Sequence, residues 1–277
     1  MSSVSETLKR VIIDKAPLIA CALVMLIMTY LPNVAAVELV SVLMDDSSMG
    51  AQLAYCALSA AMAFLLLWLF ERWYSPQYKG TITLEGAGAG LKVLLPVIVF
   101  WVVWIVIKVA MGFYNAYPLD LESFLKGLRP GVLEESSYRG MAMGIVLCKY
   151  HKKGSVWLPV VFTSVVFGLM HLTNLFGEDL TSEIAIHLML NVLFACAFGA
   201  IFAMTFTLCG SVWPTLVVHS AYDTALNCLL YTDASPEWLA VVDILATIAL
   251  MVFTAVLFYR SRDKTEALWD KKWGISQ

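Results

Sequence analysis

Apolar runs on the scale of a lipid bilayer recur along this chain and constrain its fold more than any other feature. About 20 apolar residues cross a membrane as a helix, and runs on that scale occupy 17–43, 51–70, 91–112, 131–149, 155–173, 184–208, 212–230 and 238–259. Hydrophobic residues make up 60% of the 277 residues. The sequence therefore predicts an all-α, polytopic transmembrane helix bundle of about eight spans, with residues 1–277 forming a single membrane-embedded domain.

The distribution of Lys and Arg predicts how this bundle is oriented. When the N-terminus is placed in the cytoplasm, most of the 18 basic residues fall in cytoplasmic segments, including a cluster after the last run. Basic residues favour the cytoplasmic side. We therefore expect a multi-pass protein of the cell membrane with both termini in the cytoplasm. The net charge of −3 comes without a basic stripe, so nucleic acid is not a predicted partner.

The fourth run carries an unusual charged patch, Glu134-Glu135-Ser136-Ser137-Tyr138-Arg139-Gly140. Charged side chains are costly at bilayer depth and usually mark function. Glu135 and Arg139 lie four residues apart, which on a helix favours a charge-assisted pair. Glu134 lies about 100° round the helix from Glu135 and stays available as a general base. A solvated salt bridge at a helix end in the headgroup region is the alternative interpretation.

Two later apolar runs contain histidines with a polar or aromatic neighbour one turn away. Phe167 precedes His171 by four residues, so its ring is expected to pack against the imidazole. His219 and Asp223 are also one turn apart, with Asn227 a further turn along. A single intramembrane histidine is more often a helix-packing residue. Two histidines, a surplus glutamate and an ion pair in one bundle favour a functional site.

Taken in order, these motifs resemble those of the CPBP family of intramembrane metalloproteases or glutamate proteases, which includes CAAX proteases and bacteriocin-processing Abi proteins. The resemblance covers roughly residues 90–230, which would form the catalytic core. Each motif lies on its own predicted helix. The matching positions are EExxxR (Glu134, Glu135, Arg139), FxxxH (Phe167, His171) and HxxxN/D (His219, Asp223).

The resemblance implies a metal-independent, glutamate-type endopeptidase embedded in the membrane. In that case Glu134 is the general base, and His171 helps to hold and polarise the attacking water. Glu135 and Arg139 form a structural pair, with Phe167 supporting the histidine beside it. The last motif would stabilise the oxyanion, and no cofactor is implied.

One position departs from the family pattern. Asp223 stands where the family often has asparagine, and an ionised aspartate cannot donate to an oxyanion. We therefore expect Asp223 to orient His219 as its carboxylate partner, which would also favour a charged His219. Asn227, on the same helix face, is a candidate to supply the missing amide.

The function predicted from these observations is cleavage of a membrane-associated peptide or CAAX-type protein by glutamate-activated water, with the lipid bilayer and a peptide or protein substrate as partners. With cytoplasmic termini, the site falls toward the outer half of the membrane, so an exported or membrane-inserted peptide is as plausible a substrate as a prenylated protein. Two alternatives stay open. One is a zinc peptidase, since a carboxylate and two imidazoles are acceptable zinc ligands. The other is a non-catalytic bacteriocin self-immunity or membrane adaptor protein that acts on a partner protein and whose buried polar network only stabilises the bundle.

Overall fold

A computed structural model of the chain describes residues 13–45, 48–74, 77–150, 157–175, 182–231 and 238–274. Nearly all of its regular structure is helical. The helices are α1 (Pro17–Ser41), α2 (Met49–Tyr74), α3 (Ala87–Ala110), α4 (Leu121–Glu135), α5 (Met143–Tyr150), α6 (Trp157–Met170), α7 (Ser182–Cys209), α8 (Trp213–Asn227) and α9 (Trp238–Trp273). Two short strands, β1 (Tyr114–Ala116) and β2 (Leu229–Tyr231), pair antiparallel with Tyr114 opposite Tyr231.

Among the described residues, five helices are long and apolar enough to cross a membrane: Pro17–Ser41, Met49–Tyr74, Ala87–Ala110, Leu188–Cys209 and Val241–Trp273. The prediction of an all-α membrane bundle is confirmed. The other three predicted runs form shorter elements. Run 155–173 corresponds to the apolar segment Trp157–Thr173, and run 212–230 holds the 15-residue helix α8. These two and run 131–149 are the runs that carry the polar motifs.

Run 131–149 is divided because the helix changes its winding inside the charged patch. Helix α4 ends at Glu135, a π-helical segment covers Ser136–Ala142, and α5 continues from Met143. Every side chain from 136 to 147 is buried. The π-helical turn therefore lies in the interior of the bundle, and π-helical turns of this kind occur often at functional sites.

Glycines allow α4 and α8 to pack closely in an antiparallel crossing. A Cβ atom added at Gly127 would lie 2.3 Å from the backbone nitrogen of Thr224. One added at Gly131 would lie 2.2 Å from Oγ of Ser220. Small residues spaced four apart permit such backbone approach between membrane helices. The crossing brings the end of α4 against the middle of α8, where His219 lies.

Polar contacts join α9 to the rest of the bundle near its C-terminal end. Lys272 donates from Nζ to the carbonyl oxygen of Gly80 at 3.0 Å and to that of Gly210, just after α7. The indole of Trp269 donates to the carbonyl of Thr207 at 3.0 Å. Buried Glu71 accepts from the backbone nitrogen of Thr81 at 2.8 Å. Hydrogen bonds therefore fix this end of α9 to the rest of the bundle.

Candidate active site

Glu135 and Arg139 form a fully buried ion pair across the junction of α4 and the π-helical segment. Nη1 of Arg139 donates to Oε1 of Glu135 at 2.9 Å, and Nη2 donates to the carbonyl oxygen of Gly199 in α7 at 3.1 Å. The guanidinium carbon also lies 4.9 Å from the ring centroid of Phe167. Charge pairing, a backbone acceptor and an aromatic face together compensate for the loss of water. The pair therefore connects four elements, which are α4, the π-helical segment, α6 and α7.

His219 shares the carboxylate of that pair. Its Nδ1 lies 2.9 Å from Oε1 of Glu135, and because a carboxylate paired with Arg139 only accepts, Nδ1 carries the proton. The opposite nitrogen, Nε2, faces two further carboxylates, at 3.8 Å from Oε2 of Glu134 and 3.6 Å from Oδ2 of Asp223. Both distances are longer than a hydrogen bond. The ring is thus held from one side, and its other nitrogen points toward the remaining carboxylates.

His171 follows directly after the last residue of α6, at the start of a 3₁₀ segment (His171–Leu175). Its Nδ1 lies 3.0 Å from the carbonyl oxygen of Phe167. A carbonyl only accepts, so Nδ1 carries the proton and Nε2 of the neutral ring keeps its lone pair. The buried Phe167 ring lies between the two histidines, with its centroid 5.0 Å from that of His171 and 6.0 Å from that of His219.

A cavity of about 190 Å³ lies beside the charged patch. One water needs roughly 10–15 Å³, so the cavity has room for a water and for part of a substrate. The residues that line it are Thr29, Tyr30, Glu134, Tyr138, Met170, His171 and Thr173. Glu134 and His171 thus face one space, whereas Glu135 is turned away from it. The two adjacent glutamates have different environments, as their 100° offset on a helix predicts.

Helix α1 contributes side chains to this cavity that the sequence analysis did not assign to the site. Oγ1 of Thr29 lies 2.6 Å from Oγ of Ser137, which in turn donates to the carbonyl oxygen of Glu134 at 3.1 Å. The hydroxyl of Tyr30 lies 3.1 Å from Oγ1 of Thr173. The available signal was an adjacent Thr-Tyr pair inside an otherwise apolar run. The Gly-x-x-x-Gly spacing on α4, which allows the close crossing with α8, was likewise visible in the sequence.

In the HxxxN/D motif, the sequence predicts that Asp223 is the carboxylate partner that orients His219. The carboxylate that accepts the hydrogen bond from the His219 ring is Glu135 and not Asp223, which is partly exposed beside Nε2. Asn227 is the last residue of α8, and its side chain is exposed. The roles of Asp223 and Asn227 in a reaction stay predictions.

The carboxylates and imidazoles of the site also bear on the zinc alternative. Zinc sites in proteins hold the ion with three or four converging side chains. Within the part of the chain that the structure describes, no group of three or more His, Cys, Asp and Glu side chains is arranged to hold a metal ion. A metal requirement stays a matter for a direct test.

Comparison with known proteins adds one finding. Residues 119–225 match the sequence model of the family described as "Type II CAAX prenyl endopeptidase Rce1-like". The matched segment contains the charged patch, both histidine motifs and the α4–α8 crossing. No curated protein and no solved structure matches the chain. The resemblance drawn from the motifs is confirmed over this segment.

Proposed function

We propose that this chain, whose residues 119–225 match the sequence model of the Rce1-like type II CAAX prenyl endopeptidase family, is an intramembrane endopeptidase that cleaves a membrane-associated peptide or CAAX-type protein. One observation carries the proposal. Glu135 is occupied by Arg139 and His219, whereas its neighbour Glu134 faces a cavity together with His171. A carboxylate that is not paired with Arg139 and a neutral imidazole, both beside a cavity with room for water, are the parts that general-base hydrolysis needs.

In the proposed reaction, a water molecule sits between a carboxylate oxygen of Glu134 and Nε2 of His171. Glu134 accepts one proton from this water as its oxygen attacks the carbonyl carbon of the scissile peptide bond. His171 accepts a hydrogen bond from the second O–H through its lone pair and so orients the attack. Glu134 then gives its proton to the leaving nitrogen, and the C–N bond breaks as the tetrahedral intermediate collapses.

His219 is proposed to stabilise the oxyanion of that intermediate. In the protonated ring, Nε2 carries a hydrogen and points to the side where Glu134 lies, 3.8 Å away. The hydrogen bond from Nδ1 to Glu135 fixes the ring before substrate binds. Preorganised donors of this kind typically contribute about 10²–10³-fold to the rate. Phe167 and Arg139 then act as positioning residues, because they support the rings and the carboxylate without facing the cavity.

The setting in the membrane defines the substrate class. Among the described residues, large exposed apolar side chains occur along α1, α2, α3 and α9, and such faces suit contact with lipid. We infer a protein of the cell membrane with both termini in the cytoplasm, which the distribution of basic residues supports. A substrate would therefore approach as a membrane-anchored or membrane-inserted chain. No cofactor takes part in the proposed reaction.

Quantitative peptidomics tests the proposal. Cells that carry the wild-type chain are compared with cells that carry Glu134→Gln at equal membrane abundance. Glu122→Gln is the matched control, because Glu122 lies on the same helix in an exposed pair with Lys126. We expect a cleaved peptide or truncated protein with wild type and Glu122→Gln that is absent with Glu134→Gln. Identical profiles in all three would overturn the peptidase and favour a non-catalytic immunity or adaptor protein.

A further inference from the structure

The cavity beside Glu134 is built from two parts of the chain. Glu134, Tyr138, Met170, His171 and Thr173 belong to the segment that matches the endopeptidase family. Thr29 and Tyr30 come from α1, about a hundred residues earlier and outside that segment. The groups proposed to carry the chemistry thus lie in the matched segment. Part of the cavity wall beside them lies on α1.

Hydrogen bonds fix this wall against the site. Thr29 bonds to Ser137, two residues before Arg139, at 2.6 Å. The Tyr30 hydroxyl bonds to Thr173, two residues after His171, at 3.1 Å. Because both ends of the contact are tied, the Tyr30 ring cannot turn away without losing the bond to Thr173. The position of its ring therefore limits the space next to His171.

The size and location of the cavity indicate what Tyr30 limits. Its volume is about 190 Å³, below the roughly 300–1,000 Å³ of pockets that enclose a drug-sized ligand. The space beside the proposed water is therefore sufficient for one side chain. Tyr30 is 40% exposed, so it stands where the cavity meets the outer surface of the bundle. A chain that enters from that side passes this ring first.

We propose that Tyr30 is a specificity-determining residue that selects a small or medium-sized side chain at the scissile bond. The inference rests on the proposed endopeptidase function and adds the substrate class. A bulky side chain would have to displace the Tyr30 ring and break its bond to Thr173. A small side chain leaves both in place. Specificity would then be set by α1 and chemistry by the matched domain.

The test uses the same peptidomics readout with variants of α1. Tyr30→Ala removes the ring, and Tyr30→Leu removes the hydroxyl and shortens the side chain as a second, milder variant. Leu31→Ala is the matched control, because Leu31 is the next residue on α1, is 48% exposed and does not line the cavity. For each chain, the ratio of large to small residues at the Glu134-dependent cleavage position is measured at equal membrane abundance.

We expect this ratio to rise about tenfold or more in Tyr30→Ala, since one methylene of pocket space is worth roughly 10–200-fold in discrimination. Tyr30→Leu should shift it in the same direction by less, and Leu31→Ala should match wild type. Unchanged ratios in both Tyr30 variants, with cleavage still dependent on Glu134, would overturn the inference alone. Absence of any Glu134-dependent product from the wild-type chain would overturn the proposed function and the inference with it.

Discussion

The Nδ1 atom of His219 lies 2.9 Å from Oε1 of Glu135. The same oxygen accepts a hydrogen bond from Arg139 at 2.9 Å. One buried carboxylate therefore positions an imidazole from α8 and a guanidinium from the π-helical segment, and Gly199 of α7 accepts the remaining bond of that guanidinium at 3.1 Å. This arrangement exists without substrate. It explains why one glutamate of the pair is unsuited to accept a proton from water and why its neighbour is suited to it.

Removal of Arg139 tests the energetic part of this arrangement. Arg139→Met keeps most of the side-chain volume but leaves Glu135 buried without its guanidinium partner. Breaking a buried pair from one side typically costs about 3–5 kcal/mol, because the remaining charge is uncompensated. We expect a loss of that order in the free energy of unfolding, measured by denaturant titration of the purified protein in detergent. Neutralising both partners, as Arg139→Met with Glu135→Gln, should recover part of the loss.

Arg262→Met is the control for that experiment. Arg262 pairs with Glu266 on α9 over the same spacing of four residues, at 3.4 Å, but Arg262 is exposed and Glu266 is partly exposed. Exposed pairs contribute about 0–1 kcal/mol. A similar loss in both variants would contradict the structural role assigned to the buried pair.

Much of this site could be predicted from local spacing. Four residues separate Glu135 from Arg139 and Phe167 from His171, and in both cases the side chains are in contact. The offset of one residue between Glu134 and Glu135 placed them in different environments. The apolar runs gave the fold class in the same way, because bilayer thickness sets the length of a spanning helix.

Contacts between distant segments could not be predicted in this way. His219 and Glu135 are 84 positions apart, and the helical period of either segment does not reveal which residues of the other it faces. The local spacing therefore predicts that Asp223, the neighbour of His219 on the same helix, orients its ring. The place of Tyr30 beside Thr173 was hidden for the same reason. The π-helical winding depends on packing from all sides, and a binary apolar pattern does not encode it.

Asp223→Asn separates a catalytic role of this carboxylate from a supporting one. His219 is oriented by the hydrogen bond that it donates to Glu135, so the ring should keep its position, and an amide at 223 can still approach Nε2. We expect normal protein abundance and product formation within about tenfold of wild type, far less than the typical 10²–10⁴-fold contribution of a general base. The measurement is the rate of product formation on the substrate identified by peptidomics. A loss as complete as that of Glu134→Gln would instead assign the proton transfer to Asp223.

Gly131→Ala tests the close crossing of α4 and α8. The new methyl group would lie 2.2 Å from Oγ of Ser220 and 2.9 Å from its backbone nitrogen. Because backbone cannot move aside as a flexible side chain can, the helices must separate, and overpacking of this kind costs about 1–3 kcal/mol. We expect a lower thermal unfolding midpoint in detergent. We also expect less product at temperatures where the variant is still folded, since the crossing places His219 near Glu134.

Gly88→Ala provides the comparison, because nothing lies within 4 Å of a Cβ atom added at Gly88 in the first turn of α3. Alanine is favoured over glycine in helices by up to about 1 kcal/mol, so this variant should be neutral or slightly more stable. Equal destabilisation at both positions would show that the α4–α8 crossing is not the cause.

A chelator separates the glutamate mechanism from the zinc alternative. We expect product formation to persist after incubation with 1,10-phenanthroline or EDTA and removal of the chelator, because Glu134 and His171 are proposed to activate water without a Lewis acid. The measurement is the rate before and after treatment, with elemental analysis of the purified protein. Loss of activity that added zinc restores would overturn the proposed mechanism, although cleavage itself would stand.

The stability of the first turn of α4 should depend on pH through Asp120, which precedes the helix at a position outside the predicted spans. Its Oδ1 accepts from the backbone nitrogen of Ser123 at 2.7 Å, and this hydrogen bond to the charged form lowers the pKa of Asp120 below its ordinary value of 3.8. A lowered pKa in the folded state means that the stabilisation is present above the unfolded pKa and is lost as the pH falls through the folded one. We therefore expect amide protection in the first turn of α4 to be intact at neutral pH and to fall in strong acid, measured by hydrogen exchange corrected for intrinsic rates. Asp120→Asn keeps an acceptor that does not titrate, so amide protection in this variant should not fall in strong acid. Asp120→Ala has no side-chain acceptor, so amide protection in the first turn should be reduced at every pH.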